Sequence, residues 1–543
     1  MPYSTPASEQ DLEKGCEGNG YLFNSSVKDI TWKGVTVTVE DKTTTTNRTI
    51  VDDVCGTVKA GEICAIVGPS GCGKTTLLSV LADKPIKAKK IESEILVNSS
   101  FVSRSDFKRA SCFVEHEDAF IGSLTARESV EFASRLACSA SLPRHVRDNR
   151  IDSLLHSFGL TEQANTLIGT SLRHGISVGE KRRVSVVSQL ITCPKILFLD
   201  EPTSGLDSAA SYKVVSYLKS VAKQNNLIVI ISIHQPSAKT FGLFDKLMLL
   251  TGGKMHYFGS MDGFVPYYES TGIQIQSNVN PSEHLLDLVN IDFAEDRAAA
   301  EKRLGELHEA WERSPQYKEV CSALPVTGTS TSGNIKLKFV DKRPSKWSLT
   351  LTLLHRNFIK SHRDVMAYGT RLVLFAVIAL LSGTVWLRLD SGQSSIQSYI
   401  IALFAGTTLV PFISIAYTPA FLEDHHQYTK ERGSGLYGPT EFIIANSLIG
   451  IPALFATNSG FMVPPTMINR FYKNAVYHLN HQKYVFQGLM ANEFKDRCKI
   501  AGQAVLDYYD ISGKRSLARN VGITIAIIFV YRLLAWSVLK MRR

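Results

Sequence analysis

Apolar positions along this 543-residue chain follow two regimes, and the change comes near residue 370. Before it they form short runs closed by glycine or polar turns. Ile196–Leu199 is apolar on both faces, the pattern of a strand buried inside a parallel sheet, and "LIVIISI" (227–233) reads the same way. "AIVGPSGCGKTTLL" (65–78) predicts a short strand, a glycine-rich turn and the opening of a helix. After residue 370 the runs lengthen toward the ~20 apolar residues that a membrane-spanning helix needs. Residues 372–387, 399–422, 440–463 and 521–539 are the candidate spans. The expected fold class is an α/β domain followed by an all-α transmembrane domain.

Boundaries follow from where these patterns stop. Residues 1–29 form a polar tail, 30–292 the α/β domain, 293–345 a charged linker and 346–543 the membrane part. Within the linker, "AEDRAAAEKRLGELHEAWERS" predicts a solvated helix, and "PVTGTSTSGN" a flexible tether. In "KWSLTLTLLHRNFIKSHRD", Trp347, Leu351, Leu354 and Phe358 repeat at helical spacing, with Lys346, Arg356, Lys360 and Arg363 on or beside the other faces. That pattern fits a helix lying on the cytosolic membrane surface and equally a plain core helix.

Composition narrows this picture only at its edges. The formal net charge of +10 raises nucleic acid as a partner. The basic residues are dispersed and many flank the apolar runs, where anionic lipid headgroups would meet them, so no nucleic acid partner is expected. Eight of the nine cysteines precede the first long apolar run without metal-ligand spacing, as reduced, buried cytosolic thiols would. The polar N-terminus has no hydrophobic core of a signal peptide, so none is expected. Asn24, Asn47 and Asn98 match the glycosylation pattern but fall in the cytosolic half. Arg532 stands mid-span, where an arginine is functional or paired, and His425, His426, His478 and His481 read as surface residues.

The chemistry concentrates in the first 240 residues. Gly68, Gly71 and Gly73 let the backbone turn tightly and aim its N–H groups at phosphate oxygens, which the following helix N-terminus also favours. Gly68, Pro69, Ser70, Gly71, Cys72, Gly73, Lys74, Thr75 and Thr76 are the candidate ATP-binding residues. Lys74 reaches the β- and γ-phosphates, and the Thr75 hydroxyl is a candidate Mg²⁺ ligand. In "KILFLDEPTSGLD" (195–207), Asp200 ends a buried strand, where an open α/β sheet places ligand groups. It is the second candidate Mg²⁺ ligand, and Glu201 beside it a candidate general base. His234 follows the next buried strand and either contacts the γ-phosphate or is structural.

The order of these pieces, glycine-rich turn, "ISVGE", "LFLDEPTSGLD", then His234, resembles the ATP-binding cassette of ABC transporters over about residues 30 to 290. The resemblance implies a P-loop NTPase fold with ATP and Mg²⁺ as cofactors. Ser177, Gly179 and Glu180 would form the signature motif that closes over ATP held by a second subunit, with Asp207 in the D-loop at that interface. An aromatic ring normally stacks on the adenine, and Trp32 is the nearest candidate here, unless it is core. A cassette preceding its membrane part resembles the G (White) subfamily, fungal half-transporters in particular, through "YTKERGSGLYGP", "GFMVPPTMINRFYK" and "YVFQGLMANEF".

Three departures from the family pattern set the remaining expectations. Val178 stands where the signature has a glycine, and a stiff β-branched side chain there obstructs closure unless it points away. His116, in "CFVEHED", stands where similar cassettes have the Q-loop glutamine, and imidazole is a poor ligand for hard Mg²⁺. In the third span, "LIGIPALF" runs almost directly into "GFMVPP", so that, against the family pattern, the rest of the third helix, the fourth and most of the fifth are missing, by deletion or by an exon-boundary error. Lys540, Arg542 and Arg543 keep the C-terminus cytosolic beside the cassette, so four crossings are expected, with about residues 464–520 outside. Together these predict nucleotide binding with slow hydrolysis. The expected activity is ATP-dependent export of lipid-like or hydrophobic small molecules by a homodimer or heterodimer of half-transporters, the plasma membrane being the expected site. The alternatives are a transport-impaired subunit of a heterodimer and a soluble ATPase acting on ribosomes or DNA, which the apolar runs disfavour.

Overall fold

The computed structural model describes residues 22–40, 47–116, 119–138, 143–170, 173–273, 297–322, 344–364, 418–457 and 517–541, with isolated positions between 289 and 404. Its contacts divide the chain into two units: Met1–Ser345 with Thr429–Leu436, and Lys346–Tyr428 with Tyr437–Arg543.

The first unit is built on two sheets. β1 (Asp29–Glu40) pairs antiparallel with β2 (Asn47–Lys59) and β4 (Lys90–Val97), giving the order β2-β1-β4. The second sheet has the order β5-β6-β7-β3-β8-β9, from β3 (Ile63–Val67), β5 (Ser111–Val114), β6 (Ile196–Asp200), β7 (Ile228–Ile233), β8 (Lys246–Thr251) and β9 (Lys254–Ser260). Every pair in it is parallel except β8 with β9. Every residue of β3, β6 and β7 is buried, which explains their unbroken apolar runs: helices cover both faces of a parallel sheet. The register pairs Val114 with Leu199, Asp200 with Ser232, and Val67 with Ile233. Four adjacent strands therefore end level, and the residues just beyond them share one edge.

The helices of this unit are α1 (Lys74–Leu81), α2 (Arg104–Ala110), α3 (Ala126–Ala137), α4 (Arg144–Ser157), α5 (Val178–Leu190), α6 (Ser208–Asn225), α7 (Ala238–Phe241), α8 (Phe264–Ser270), α9 (Arg297–Arg313) and α10 (Pro315–Ser322). Two begin with a reciprocal cap, Thr125 with Glu128 on α3 and Ser177 with Glu180 on α5. The helix expected to be solvated, α9, instead buries Ala300, Leu307 and Trp311. Trp311 meets Tyr257 and Tyr267 at ring distances of 5.5 and 5.4 Å. Its charged residues cover only the outer face.

Trp32 is core, and does not serve as an adenine platform. It is fully buried opposite Gly56, where a Cβ would lie 2.5 Å from the indole, and meets Phe258 edge-on at 5.9 Å. Five of the described cysteines are buried free thiols, Cys193 is partly so and Cys321 is exposed. Burial pushes the Cys64 thiol up to about 12, which keeps it protonated and inert.

The second unit contains α11 (Lys346–Arg363), the first part of α12 (Thr418–Gly433), α13 (Pro439–Thr457) and α14 (Leu517–Met541). On α11 the face carrying Trp347, Leu351 and Phe358 is exposed, while Arg356 and Lys360 are buried. The ammonium of Lys360 lies 2.7 Å from both Glu423 and Asp424. Burial alone would lower Lys360, but the two carboxylates outweigh it and hold it above its ordinary range. Among the described residues, no helix is long and apolar enough to cross a membrane. The expected span 372–387 and residues 399–417 lie outside the described residues apart from isolated positions, and residues 458–516 lie wholly outside them.

Candidate functional site

The site assembles at the edge where β3, β5, β6 and β7 end. The turn after β3 runs from Gly68 to Gly73 and delivers the chain into α1. Gly73 caps that helix at φ 103°, a backbone state that L side chains rarely adopt, and a Cβ there would lie 2.8 Å from the carbonyl of Ile50. A Cβ on Gly68 would lie 2.0 Å from the carbonyl of Leu250, so that glycine is fixed by clearance. Cys72 is buried beneath Gly68, and burial pushes its thiol up. Pro69, Ser70, Gly71 and Thr76 complete the loop and the first turn of the helix.

The buried ammonium of Lys74 donates to the carbonyls of Gly68 and Pro69, at 2.7 and 2.8 Å. It therefore lies across the mouth of a loop whose N–H groups and helix N-terminus favour an anion. The Thr75 hydroxyl donates to Asp200 at 3.0 Å, which brings two hard oxygen donors together at that mouth. A hydroxyl and a carboxylate so placed fit the oxygen coordination that Mg²⁺ requires. Ser70 Oγ lies 2.6 Å from His234 Nε2, so the histidine after β7 joins the same loop.

Two residues that sequence patterns did not single out hold this edge in place. Ser232, fully buried on β7, donates its hydroxyl to Asp200 at 2.6 Å and accepts from the Glu201 amide at 3.0 Å. Glu201 itself sits at φ 48°, in the left-handed region that a glutamate rarely occupies. Arg182 on α5 is 3 % exposed and spreads its guanidinium over the two strand ends. It donates to the carbonyls of Glu115 and Asp200, to that of His116 at 3.2 Å and to that of Glu201 at 2.8 Å. Carbonyls at the end of a parallel sheet point one way, and one buried cation answers all four. The Nδ1 of His116 in turn faces Glu201 Oε2 at 3.5 Å.

The signature-like residues lie at the start of α5. Ser177 and Glu180 are engaged with each other, Glu180 accepting from the Ser177 amide at 2.7 Å. The spacing Ser-x-x-Glu is itself the signal for that reciprocal cap, and it leaves the helix N-terminus squared off toward solvent. Val178 is 70 % exposed there, with its Cγ1 3.4 Å from where a Gly205 Cβ would be. A Cβ on Gly179 would meet Leu206 at 2.7 Å, so this second position cannot accept a side chain without movement. Asp207 caps α6 by accepting from the Ala210 amide at 2.6 Å.

A model described as ABC transporter matches residues 51–204, and models described as ABC-2 type transporter match 348–458 and 234–324. ABC transporter G family member 1 of Petunia hybrida is 33% identical over 449 residues, covering 80% of this chain and 68% of that protein. G family member 20 of Arabidopsis thaliana is 32% identical over 428 residues, covering 76% and 57%. The ABC transporter ATP-binding protein/permease wht-1 of Caenorhabditis elegans is 30% identical over 456 residues, covering 81% and 66%. The chain thus spans between 57% and 68% of the length of these relatives. A dimeric ATP-binding cassette solved in a post-hydrolysis state with ADP and Pi is 23% identical, with a TM-score of 0.37, over 43% of this chain and 98% of that one.

Proposed function

The chain belongs to the ABC transporter G family, and from that premise we propose that it is a half-transporter whose cassette binds and hydrolyses MgATP to drive export of a lipid-like or hydrophobic small molecule. The observation that carries this reading is the convergence of Lys74, Thr75, Asp200, Glu201 and His234 on one sheet edge, through the 3.0 Å Thr75–Asp200 and 2.6 Å Ser70–His234 contacts.

Each group has a part in that reading. The amides of the loop from Gly68 to Thr76 and the Lys74 ammonium hold the triphosphate. Thr75 and Asp200 would hold Mg²⁺, which neutralises charge on the β- and γ-oxygens when bound. Glu201 serves the attacking water and His234 the γ-phosphate. Ser177, Gly179 and Glu180 of a second cassette close the site, with Asp207 at the contact, so a homodimer or a heterodimer is the working unit. The exposed Trp347, Leu351 and Phe358 face of α11 suits a helix lying on the inner membrane surface. The ABC-2 type transporter match over residues 348–458 supports a place in a membrane, with residues 372–387 and 399–422 as proposed crossings, the cassette in the cytosol and the plasma membrane first among those to examine.

One observation favours a second reading. Val178 is exposed at the very start of α5, where the family pattern has a glycine at the proposed contact with a second cassette. In that reading the chain binds ATP but transports only beside an intact relative. Reconstitution of the full chain in liposomes with a fluorescent phospholipid analogue separates the two. ATP-dependent movement of the probe by the chain alone, abolished in Lys74→Met, supports the first reading. Movement that requires a co-reconstituted family member supports the second, and none under either condition refutes transport.

A further inference from the structure

The helices α3 and α4 pack against each other and against α5, and none of their side chains enters the site described above. Arg127, in the first turn of α3, pairs with Asp152 in the third turn of α4, its Nη2 lying 3.2 Å from Oδ2. An antiparallel pair joined there brings Arg135, about two turns further along α3, to Arg144 and Arg147 at the opening of α4. Three guanidiniums gather at this end, and the charge around them does not balance. Arg135 faces Glu131 at 3.8 Å and Arg144 faces Asp148 at 3.7 Å, both too far for a hydrogen bond. The first turn of α4 holds no carboxylate. Arg147 has neither an ion pair nor a side-chain hydrogen bond among the described residues, and its Nε is buried without an acceptor. Burial lowers the Arg135 guanidinium below its ordinary range, with Glu131 opposing and Arg147 and Arg144 adding to the effect. A shielded donor with no acceptor costs stability, and so does crowding of like charge.

We propose that Arg135, Arg144 and Arg147 form a binding site for a phosphate monoester, free in solution or carried on a lipid headgroup. Recognition is the same for both sources. A guanidinium presents its N–H groups as a planar fork that matches two phosphate oxygens, and the fork of Arg147 is unspent. A phosphate monoester carries close to two negative charges near neutral pH, which answers three crowded arginines better than a single carboxylate does. The bound oxygens give the Arg147 Nε its acceptor and tie the last turn of α3 to the first of α4. The proposal stands whether or not the cassette hydrolyses ATP, because these residues share none of the groups assigned to that reading.

The test uses the full chain in phosphatidylcholine nanodiscs. Hydrogen–deuterium exchange is read over Ala126–Ala137 and Arg144–Ser157, so that phosphate taken up by the loop from Gly68 to Gly73 is scored separately. Inorganic phosphate at fixed ionic strength is the first probe, and nanodiscs containing phosphatidic acid without added phosphate are the second. Slower exchange in these two helices with either probe is the expected result, the first assigning the site to a free phosphate and the second to a headgroup. In Arg147→Gln the protecting concentration should rise by roughly 10-fold or more. Its melting without phosphate should stay at or above that of the wild type, because a shielded donor without an acceptor has been removed. Arg147→Lys, which keeps the charge and loses the fork, should fall between the two. Exchange unaltered by both probes, equal protection by chloride at the same ionic strength, or Arg147→Gln protected at the wild-type concentration each overturns the proposal. So does a lower melting of Arg147→Gln without phosphate, which would show that the arginine already has a partner in the fold.

Discussion

Replacing Arg182 by methionine removes a buried cation while keeping the length of the side chain, and the structure sets the size of the effect. Four carbonyls lose a charge-assisted donor: those of Glu115, His116, Asp200 and Glu201. Such bonds contribute about 1.5–3 kcal/mol each when fully shielded, and a buried acceptor left unpaired costs about 1–3 kcal/mol. Only Asp200 is buried; the other three residues border solvent and can be rehydrated. One full penalty and three partial ones give a loss of about 3 kcal/mol at this edge, well short of the sum of four isolated bonds. The loss is local, so hydrogen–deuterium exchange on the full chain is the suitable assay. Amides at the ends of β5 and β6 are expected to exchange roughly 100-fold faster in Arg182→Met, with the middle of β7 little changed. Phosphate release should fall further than mant-ATP affinity, because the four carbonyls lie at the ends of β5 and β6 and not in the loop from Gly68 to Gly73. Unchanged exchange at both strand ends would show that the four contacts carry no positioning energy.

Two further outcomes follow from buried charge. Burial, with the neighbouring His308, lowers His256 from 6.5 to about 4, and the two rings lie 5.3 Å apart between β9 and α9. The unfolded chain therefore takes up this proton first. The stability it contributes is full above about pH 6.5 and is lost as pH falls toward 4, by roughly 3 kcal/mol in all. Urea unfolding between pH 7.5 and 4.5 should show the wild type losing stability relative to His256→Phe toward acid; a pH-independent difference refutes the assignment. In the second unit, Lys360→Met leaves Asp424 buried without its 2.7 Å partner, at a cost of about 3–5 kcal/mol. Thermal melting in detergent should show that drop, largely recovered in Lys360→Met with Asp424→Asn, and equal melting of single and double variants counts against it.

What was legible in the sequence was the part governed by local rules. Strands buried on both faces announce themselves as unbroken apolar runs, so β3, β6 and β7 could be placed. A glycine-rich turn between a strand and a helix is a strong local pattern, so the loop from Gly68 to Gly73 and the start of α1 could be placed. What was hidden depends on register between distant strands. Trp32 is core because the antiparallel pairing sets it over Gly56, which no window around residue 32 reveals. Ser232 and Arg182 look ordinary in their own segments and matter only because β7 and α5 meet the ends of β5 and β6. The charge of α9 masked a helix that docks through Ala300, Leu307 and Trp311. The apolar spacing on α11 marks an exposed face, while the buried one joins Leu349 and Leu353 to Arg356 and to Lys360, which pairs with carboxylates of α12. Ser177 and Glu180 match a signature by sequence, and the structure shows them as a reciprocal cap on α5.

The measurement that bears most directly on the central claim is steady-state phosphate release from MgATP by the purified full chain in lipid, beside Lys74→Met and Glu201→Gln. The expected result is turnover by the wild type, no release by Lys74→Met, and nucleotide binding without release by Glu201→Gln. A wild-type rate no higher than that of Lys74→Met contradicts the claim that this cassette hydrolyses ATP.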